Sequence, residues 1–168
     1  KREPESVPFE FPSRCPACST SLTREQGEAA WRCPNPACPE QVKGKLRYFA
    51  SRSCMDIDHL GEAVIEQLVD LEKVRMASDL YELKKEDVHE LEGFAEKSAD
   101  NLIESIGKSK QAGLARLLCA LGIKHVGSSV AKELARRFSS LAELGKASQD
   151  DLVGMDGIGD VMAESICD

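Results

Sequence analysis

The apolar residues of this chain follow two regimes. From residue 41 onward they recur at helical spacing. Val42, Leu46 and Phe49 form one stripe, Val64, Ile65, Leu68 and Val69 a second, and Leu102, Ile103 and Ile106 a third. Leu114, Leu117, Leu118 and Leu121 follow, then Val130, Leu134 and Phe138. Each stripe predicts an amphipathic helix with its apolar face in a core. Two Ser-x-x-acid sequences, Ser140 to Glu143 and Ser148 to Asp151, predict the N-terminal caps of short helices. The second is the weaker match, because Asp stands where Glu or Gln is usual. Before residue 41 cysteine and proline punctuate the chain, and strand-like patterning is confined to that region.

The breaks between the stripes resemble one another. They are His59-Leu60-Gly61, Gly93-Phe94-Ala95, His125-Val126-Gly127 and Gly157-Ile158-Gly159, with first residues 34, 32 and 32 apart. A near-constant period of this size predicts a repeated helix–turn–helix unit. A tight turn between helices needs a residue with positive φ, which glycine supplies without steric cost. The middle apolar residue is expected to tuck inward. The N–H groups of the turn and of the next helix's first turn then point outward together, at the positive end of a helix dipole. Such a nest accepts a phosphate oxygen. This is the physics of a helix-hairpin-helix motif, which grips a nucleic-acid backbone without reading bases. An α-helical repeat whose glycines are only caps is the competing reading. The candidate contacts are His59, Gly61, Gly93, Lys97, Lys124, His125, Gly127, Lys132, Gly157 and Gly159. His59 and His125 stand in place of a first glycine and Ala95 in place of a last one, so the fourth copy is closest to the ideal.

The cysteines add chemistry at the other end. Cys15 and Cys18 form a C-x2-C pair and Cys33 and Cys38 a C-x4-C pair, with fourteen residues between. Two such knuckles complete a tetrahedron of thiolates around zinc, at Zn–S distances of about 2.3 Å. Four thiolates leave no position open for water, so the ion is structural. A small hairpin with Gly27 in its turn is expected between the knuckles, with Trp31 packed against the site. Two disulfides are the alternative. An odd total of seven cysteines, without a secretory signal, argues for a reducing cytoplasm instead. Cys54, Cys119 and Cys167 are expected to be small core residues. The fold class is therefore mainly α: a four-cysteine zinc finger over residues 11–40, then a helical domain of four helix-hairpin-helix motifs over 41–168.

Net charge is −7, which by itself speaks against a polyanion partner. Its distribution changes that picture. Residues 55–107 carry five Lys/Arg against fifteen Asp/Glu, whereas residues 108–137 carry seven against Glu133 alone. A concentrated basic block thus surrounds the third break, with Lys124 just before it and Lys132 in the helix after it. Aromatic residues make up only 5% of the chain, too few for a base-stacking platform. The expected partner is double-stranded DNA, gripped by its backbone, in a salt-dependent and sequence-independent way. No apolar run is long enough for a membrane span.

The phrases "CPAC", "WRCPNPACPEQ", "LRYFASRSCMDIDHLGEAVIEQL", "LLCALGIKHVGSSVAKELARRF" and "DGIGDVMAESI" together resemble bacterial NAD-dependent DNA ligase, in its C-terminal portion. The resemblance implies that residues 1–10 are the exit from an upstream OB-fold, which the zinc module bridges to the helical domain. It implies a role in DNA replication and in the repair of DNA damage, in bacterial cytoplasm at the nucleoid. It also implies a cycle in which an adenylation domain takes AMP from NAD, with magnesium, and joins a 5′-phosphate to a 3′-hydroxyl. The adenylating Lys-x-Asp-Gly motif does not occur in this sequence. The chain would then hold nicked duplex DNA, as a monomer, for a parent enzyme whose chemistry lies elsewhere, and would be inactive alone. The start without Met fits a piece of a longer chain. A free-standing, non-enzymatic DNA-binding or scaffold module is the alternative. A helical protein-interaction module, binding a basic partner through residues 55–107, is a third reading.

Overall fold

The computed structural model describes residues 11–24, 27 and 29–167. The expected OB-fold exit at residues 1–10 lies outside them. The chain divides into two compact units, one ending at Val42 and the other beginning at Lys43.

The described residues of the first unit have little regular structure before residue 39. Two isolated antiparallel bridges join Arg14 to Ser21 and Thr23 to Arg32. Thr23 and Arg32 exchange both backbone hydrogen bonds, at 2.9 and 2.8 Å, and Gly27 turns the chain between them with φ of 92°. The small hairpin predicted around Gly27 is thus present. Trp31, expected against the cysteine site, is 45% exposed.

Helix α1 spans Pro39–Ala50, and the division between units falls within it. Its first residue is proline, which loses nothing there because the first helical N–H has no intrahelical acceptor. The second unit continues with α2 (Glu62–Asp70), a 3₁₀ turn (Ala77–Tyr81), α3 (Lys85–His89), α4 (Glu96–Ser109), α5 (Leu114–Ala120), α6 (Ser128–Arg137), α7 (Leu141–Leu144), α8 (Gln149–Val153) and α9 (Asp160–Cys167). Helix α3 packs on α4, α5 on α6 and α8 on α9. Those three pairs flank the second, third and fourth breaks. The first break differs from expectation, since no helix runs into it. Helix α1 ends at Ala50, and residues 51–60 form a string of turns fastened by the buried side chains of Cys54, Met55, Ile57 and Leu60.

The repeat is written into the core. Six residues after the start of each break stand Ile65, Ala99, Ala131 and Ala163, exposed by no more than 1%. Their N–H groups donate to the carbonyls of Gly61, Ala95, Gly127 and Gly159 at 2.9–3.0 Å, closing the first turn of α2, α4, α6 and α9. Three residues further on, Leu68, Leu102 and Leu134 are wholly buried. Small residues in three of four copies at the first position, and leucine at the second, let each helix lie close over its neighbours.

Both serine caps form, and their ranking reverses. Ser148 and Asp151 make the full reciprocal box: the Ser148 hydroxyl accepts from Asp151 N–H at 3.2 Å, and the Asp151 carboxylate accepts from Ser148 N–H at 2.9 Å. Ser140 Oγ accepts from Glu143 N–H, but the Glu143 carboxylate turns to Ser139 N–H and Oγ instead. The shorter Asp side chain reaches its own cap; the longer Glu overshoots by one residue. Leu121, expected in an apolar stripe, lies just past the end of α5 and is 50% exposed. Cys54 and Cys119 are buried as expected, with sulfurs 3.7 Å apart, whereas Cys167 is exposed.

Truncating Leu134 to Ala removes a wholly buried side chain and should cost about 2–5 kcal/mol of stability. Leu121→Ala, at a half-exposed site, should cost less than about 1 kcal/mol. Urea unfolding followed by circular dichroism measures both.

Candidate metal centre and nucleic-acid interface

The four cysteines are brought together by two knuckles. In the first, Ser19 N–H donates to the Cys15 carbonyl and Cys15 N–H to the Thr20 carbonyl, each at 2.8 Å. Ser19 adopts the left-handed conformation, φ 58°, that the tight loop demands. In the second, the Asn35 side-chain oxygen accepts from Ala37 N–H at 3.0 Å and its backbone carbonyl from Cys38 N–H at 3.1 Å. All four sulfurs lie within 4.8 Å of one another. Cys15 and Cys38 are 3.8 Å apart and Cys18 and Cys33 3.4 Å. A zinc–thiolate tetrahedron with bonds of about 2.3 Å has edges near ~3.8 Å, so the donor set fits zinc. It does not fit disulfides, whose sulfurs are about 2.05 Å apart.

The thiols pull against each other. The Thr20 hydroxyl and N–H beside its sulfur hold Cys18 down to about 6. The Asn35 backbone N–H favours the Cys33 thiolate, but burial and the neighbouring thiols outweigh it and push Cys33 up to about 12. Burial likewise raises Cys38. Four adjacent sulfurs cannot all carry negative charge unless a cation sits among them. A divalent ion takes the place of the protons and lets all four ionise. The cluster therefore holds one structural zinc. When bound, the ion supplies folding energy and no open coordination site.

The four breaks share one backbone conformation. Their first residues have positive φ in every copy: His59 66°, Gly93 82°, His125 67° and Gly157 80°. The third residues caps the following helix in extended backbone in Gly61, Ala95 and Gly127, with φ of −78°, −103° and −90°. Ala95 is thus no defect, since extended backbone suits any residue. The two histidines carry the strain instead. The middle residues Leu60, Val126 and Ile158 are each 5% exposed, as expected, and Phe94 is half-buried. All ten candidate contacts, from His59 to Gly159, are exposed. Lys97 stands at the second position of α4, Lys124 just before the third turn, and Lys132 midway along α6.

The basic block of 108–137 is less available than its composition implies. Arg116 points inward: its guanidinium donates to the backbone carbonyls of Cys54 and of Arg52, the latter at 2.7 Å, and pairs with Asp56 at 3.4 Å. It fastens α5 to the string of turns before the first break. Lys108 pairs with Glu104 at 2.7 Å, and Lys110 stands over the Tyr81 ring. Sequence reasoning also missed Gln67. From α2 its amide brackets Glu92, accepting from the N–H at 2.6 Å and donating to the carbonyl at 3.3 Å. That pair docks the helix after the first turn onto the entry of the second. Nothing in the spacing of Gln67 announces it.

Two stretches of the chain match known families. Residues 14–39 match the family described as the NAD-dependent DNA ligase C4 zinc finger domain, and residues 116–168 match the helix-hairpin-helix motif. Over 166 residues, 99% of the chain, it is 49% identical to the DNA ligase of Bacillus subtilis (strain 168), of which this covers 25%. It is 49% identical over 158 residues to that of Chlorobium luteolum (94% of the chain, 23% of the relative) and 46% identical over 165 residues to that of Hydrogenobaculum sp. (98% and 24%). The chain spans about a quarter of the length of these curated relatives.

The purified protein should contain one zinc per chain by elemental analysis, and Cys33→Ser should lose it. Chelation should raise the number of reactive thiols while leaving most helical circular dichroism intact, because the cysteine unit contributes little helix. A zinc-free preparation with all seven thiols reactive would overturn the assignment. The turns make a separate prediction. Gly157→Val should cost about 1–2 kcal/mol through left-handed strain alone, since an added Cβ there meets nothing within 4 Å. His125→Gly should be nearly neutral, relief of that strain offsetting the greater entropy glycine has when unfolded. Thermal melts check both.

Proposed function

We propose that the chain is the part of an NAD-dependent DNA ligase that holds nicked duplex DNA; it matches that family's zinc finger and spans about a quarter of the length of its curated relatives. Residues 11–40 serve as the zinc finger and residues 41–168 as the DNA-binding domain. The grip is on the phosphate backbone, through outward N–H groups of the hairpin turns and the cations beside them, and it is blind to sequence. The observation that carries this reading is a coincidence of two facts. The third and fourth turns lie inside the segment matching the helix-hairpin-helix motif, and both present exposed turn residues over a buried apolar pin. The first and second turns, with the same backbone geometry, serve as two further motifs of the kind. Joining of 5′-phosphate to 3′-hydroxyl, with NAD and magnesium, belongs to other parts of the parent enzyme, which acts in replication and in repair. The chain by itself binds as a monomer and seals nothing.

Fluorescence anisotropy with a labelled nicked duplex tests this. Binding should occur at low salt and weaken about ten- to a hundredfold between 50 and 200 mM, the change expected for two to four neutralised phosphates. A duplex of scrambled sequence should compete equally. Absence of binding at low salt, or strong preference for one sequence, would overturn the reading.

A further inference from the structure

The four copies share a backbone, but they do not share a surface charge. Equivalent exposed positions recur in each: the residue before the turn, the first and fifth positions of the helix that follows and, in the first three copies, the ninth. The three helical positions are four residues apart and so lie along one face. In the first copy they hold Asp58, Glu62, Glu66 and Asp70, and in the second Glu92, Glu96, Asp100 and Glu104. In the fourth they hold Asp156, Asp160 and Glu164. In the third copy the same positions hold Lys124, Ser128, Lys132 and Arg136. Every one of these fifteen residues is exposed. An acid has become a serine or a cation at each equivalent place, in one copy only.

The acids are also occupied differently. In the first copy, Glu62 pairs with Arg47 and Asp70 with Lys43, both on α1. In the second, Lys85 of α3 bridges Glu96 and Asp100, at 3.3 and 2.8 Å, and Lys108 pairs with Glu104. Each of those two faces is thus partly engaged with the chain's own cations. In the fourth copy Asp156, Asp160 and Glu164 have no cationic partner among the described residues, so the face is open and negative. In the third, Arg136 pairs with Glu133 of the same helix. Lys132 makes no ion pair among the described residues.

Resting on the DNA-binding reading above, we propose that the third copy is the principal phosphate-binding face of this chain, and that the corresponding face of the fourth copy does not lie against DNA. Two physical effects act together. A carboxylate at the first helical position competes for the outward N–H groups and the positive helix end that a phosphate would use. A row of carboxylates along the same face then repels the next phosphates. In the third copy neither obstacle exists. Instead Lys124, Lys132 and Arg136 extend the positive end of α6 into a cationic strip. The glycine pattern and the charge pattern therefore point to different copies. The turn closest to ideal, Gly157-Ile158-Gly159, has a hostile electrostatic setting, whereas the turn with a strained histidine has the favourable one.

Two double variants of the whole chain test this by salt titration of nicked-duplex binding. All four altered residues are exposed, and circular dichroism checks the fold. Lys132→Gln with Arg136→Gln should weaken binding at least about tenfold near ~100 mM salt and lower the slope of log affinity against log salt by about 2. Asp160→Lys with Glu164→Lys should leave the slope as in the unaltered chain, because cations added where no phosphate lies gain nothing. A third-copy variant that keeps the original slope, or a fourth-copy variant whose slope steepens by about 2, would overturn the assignment while leaving DNA binding in place. Failure of the unaltered chain to bind at low salt is a different result, and removes the DNA-binding reading together with this inference.

Discussion

A polypeptide that must reverse between two helices without a long loop needs one residue in the left-handed conformation, and the rest of this molecule is arranged around that requirement. The residue falls first in each turn, at 59, 93, 125 and 157. Its conformation turns the next side chain inward, which buries Leu60, Val126 and Ile158. It also sets the third residue in extended backbone, from which a helix starts. Ile65, Ala99, Ala131 and Ala163 then land in the core at the same register. One backbone constraint thus fixes the pin, the cap and the buried face of the next helix. Glycine meets it freely; His59 and His125 meet it under strain that the surrounding packing sustains.

The cysteine unit depends on a different constraint. Among its described residues it buries too little apolar surface to hold a hairpin and two knuckles by packing, and their regular pairing amounts to two bridges. Zinc replaces the missing core. The opposed shifts of Cys18 and Cys33 are the electrostatic sign of this, because sulfurs so close together are stable as thiolates only around a cation.

Charge works on a finer scale than composition or even block counts reveal. The chain is acidic overall, and its basic block is partly spent within the molecule, with Arg116 anchoring a loop and Lys108 paired. What remains exposed is ordered by the repeat: carboxylates at equivalent places in three copies, cations in the other. A shared scaffold with unequal surfaces lets similar units take different neighbours, since backbone geometry fixes where a contact can form and side-chain charge fixes which contact is favourable.

Much of this was legible in the amino-acid sequence. The C-x2-C and C-x4-C spacings, the helical stripes, both serine caps and the period of the breaks are local patterns, and local patterns follow from dihedral preference and side-chain reach. Where sequence misled, the deciding contact was distant. Arg116 counted as a surface cation until it met carbonyls more than sixty residues away. Leu121 looked like a core residue and is half-exposed, because a hydrophobic side chain is buried only if some other element arrives to cover it. Gln67 carried no signal until α2 set it opposite Glu92. The sequence by itself determined the metal ligands, the helices and the repeat, each governed by residues near in the chain. Tertiary structure alone decided which position of each turn bears the strain, which cations are left facing solvent and which acids are paired, because those depend on contacts between segments that the order of residues does not specify.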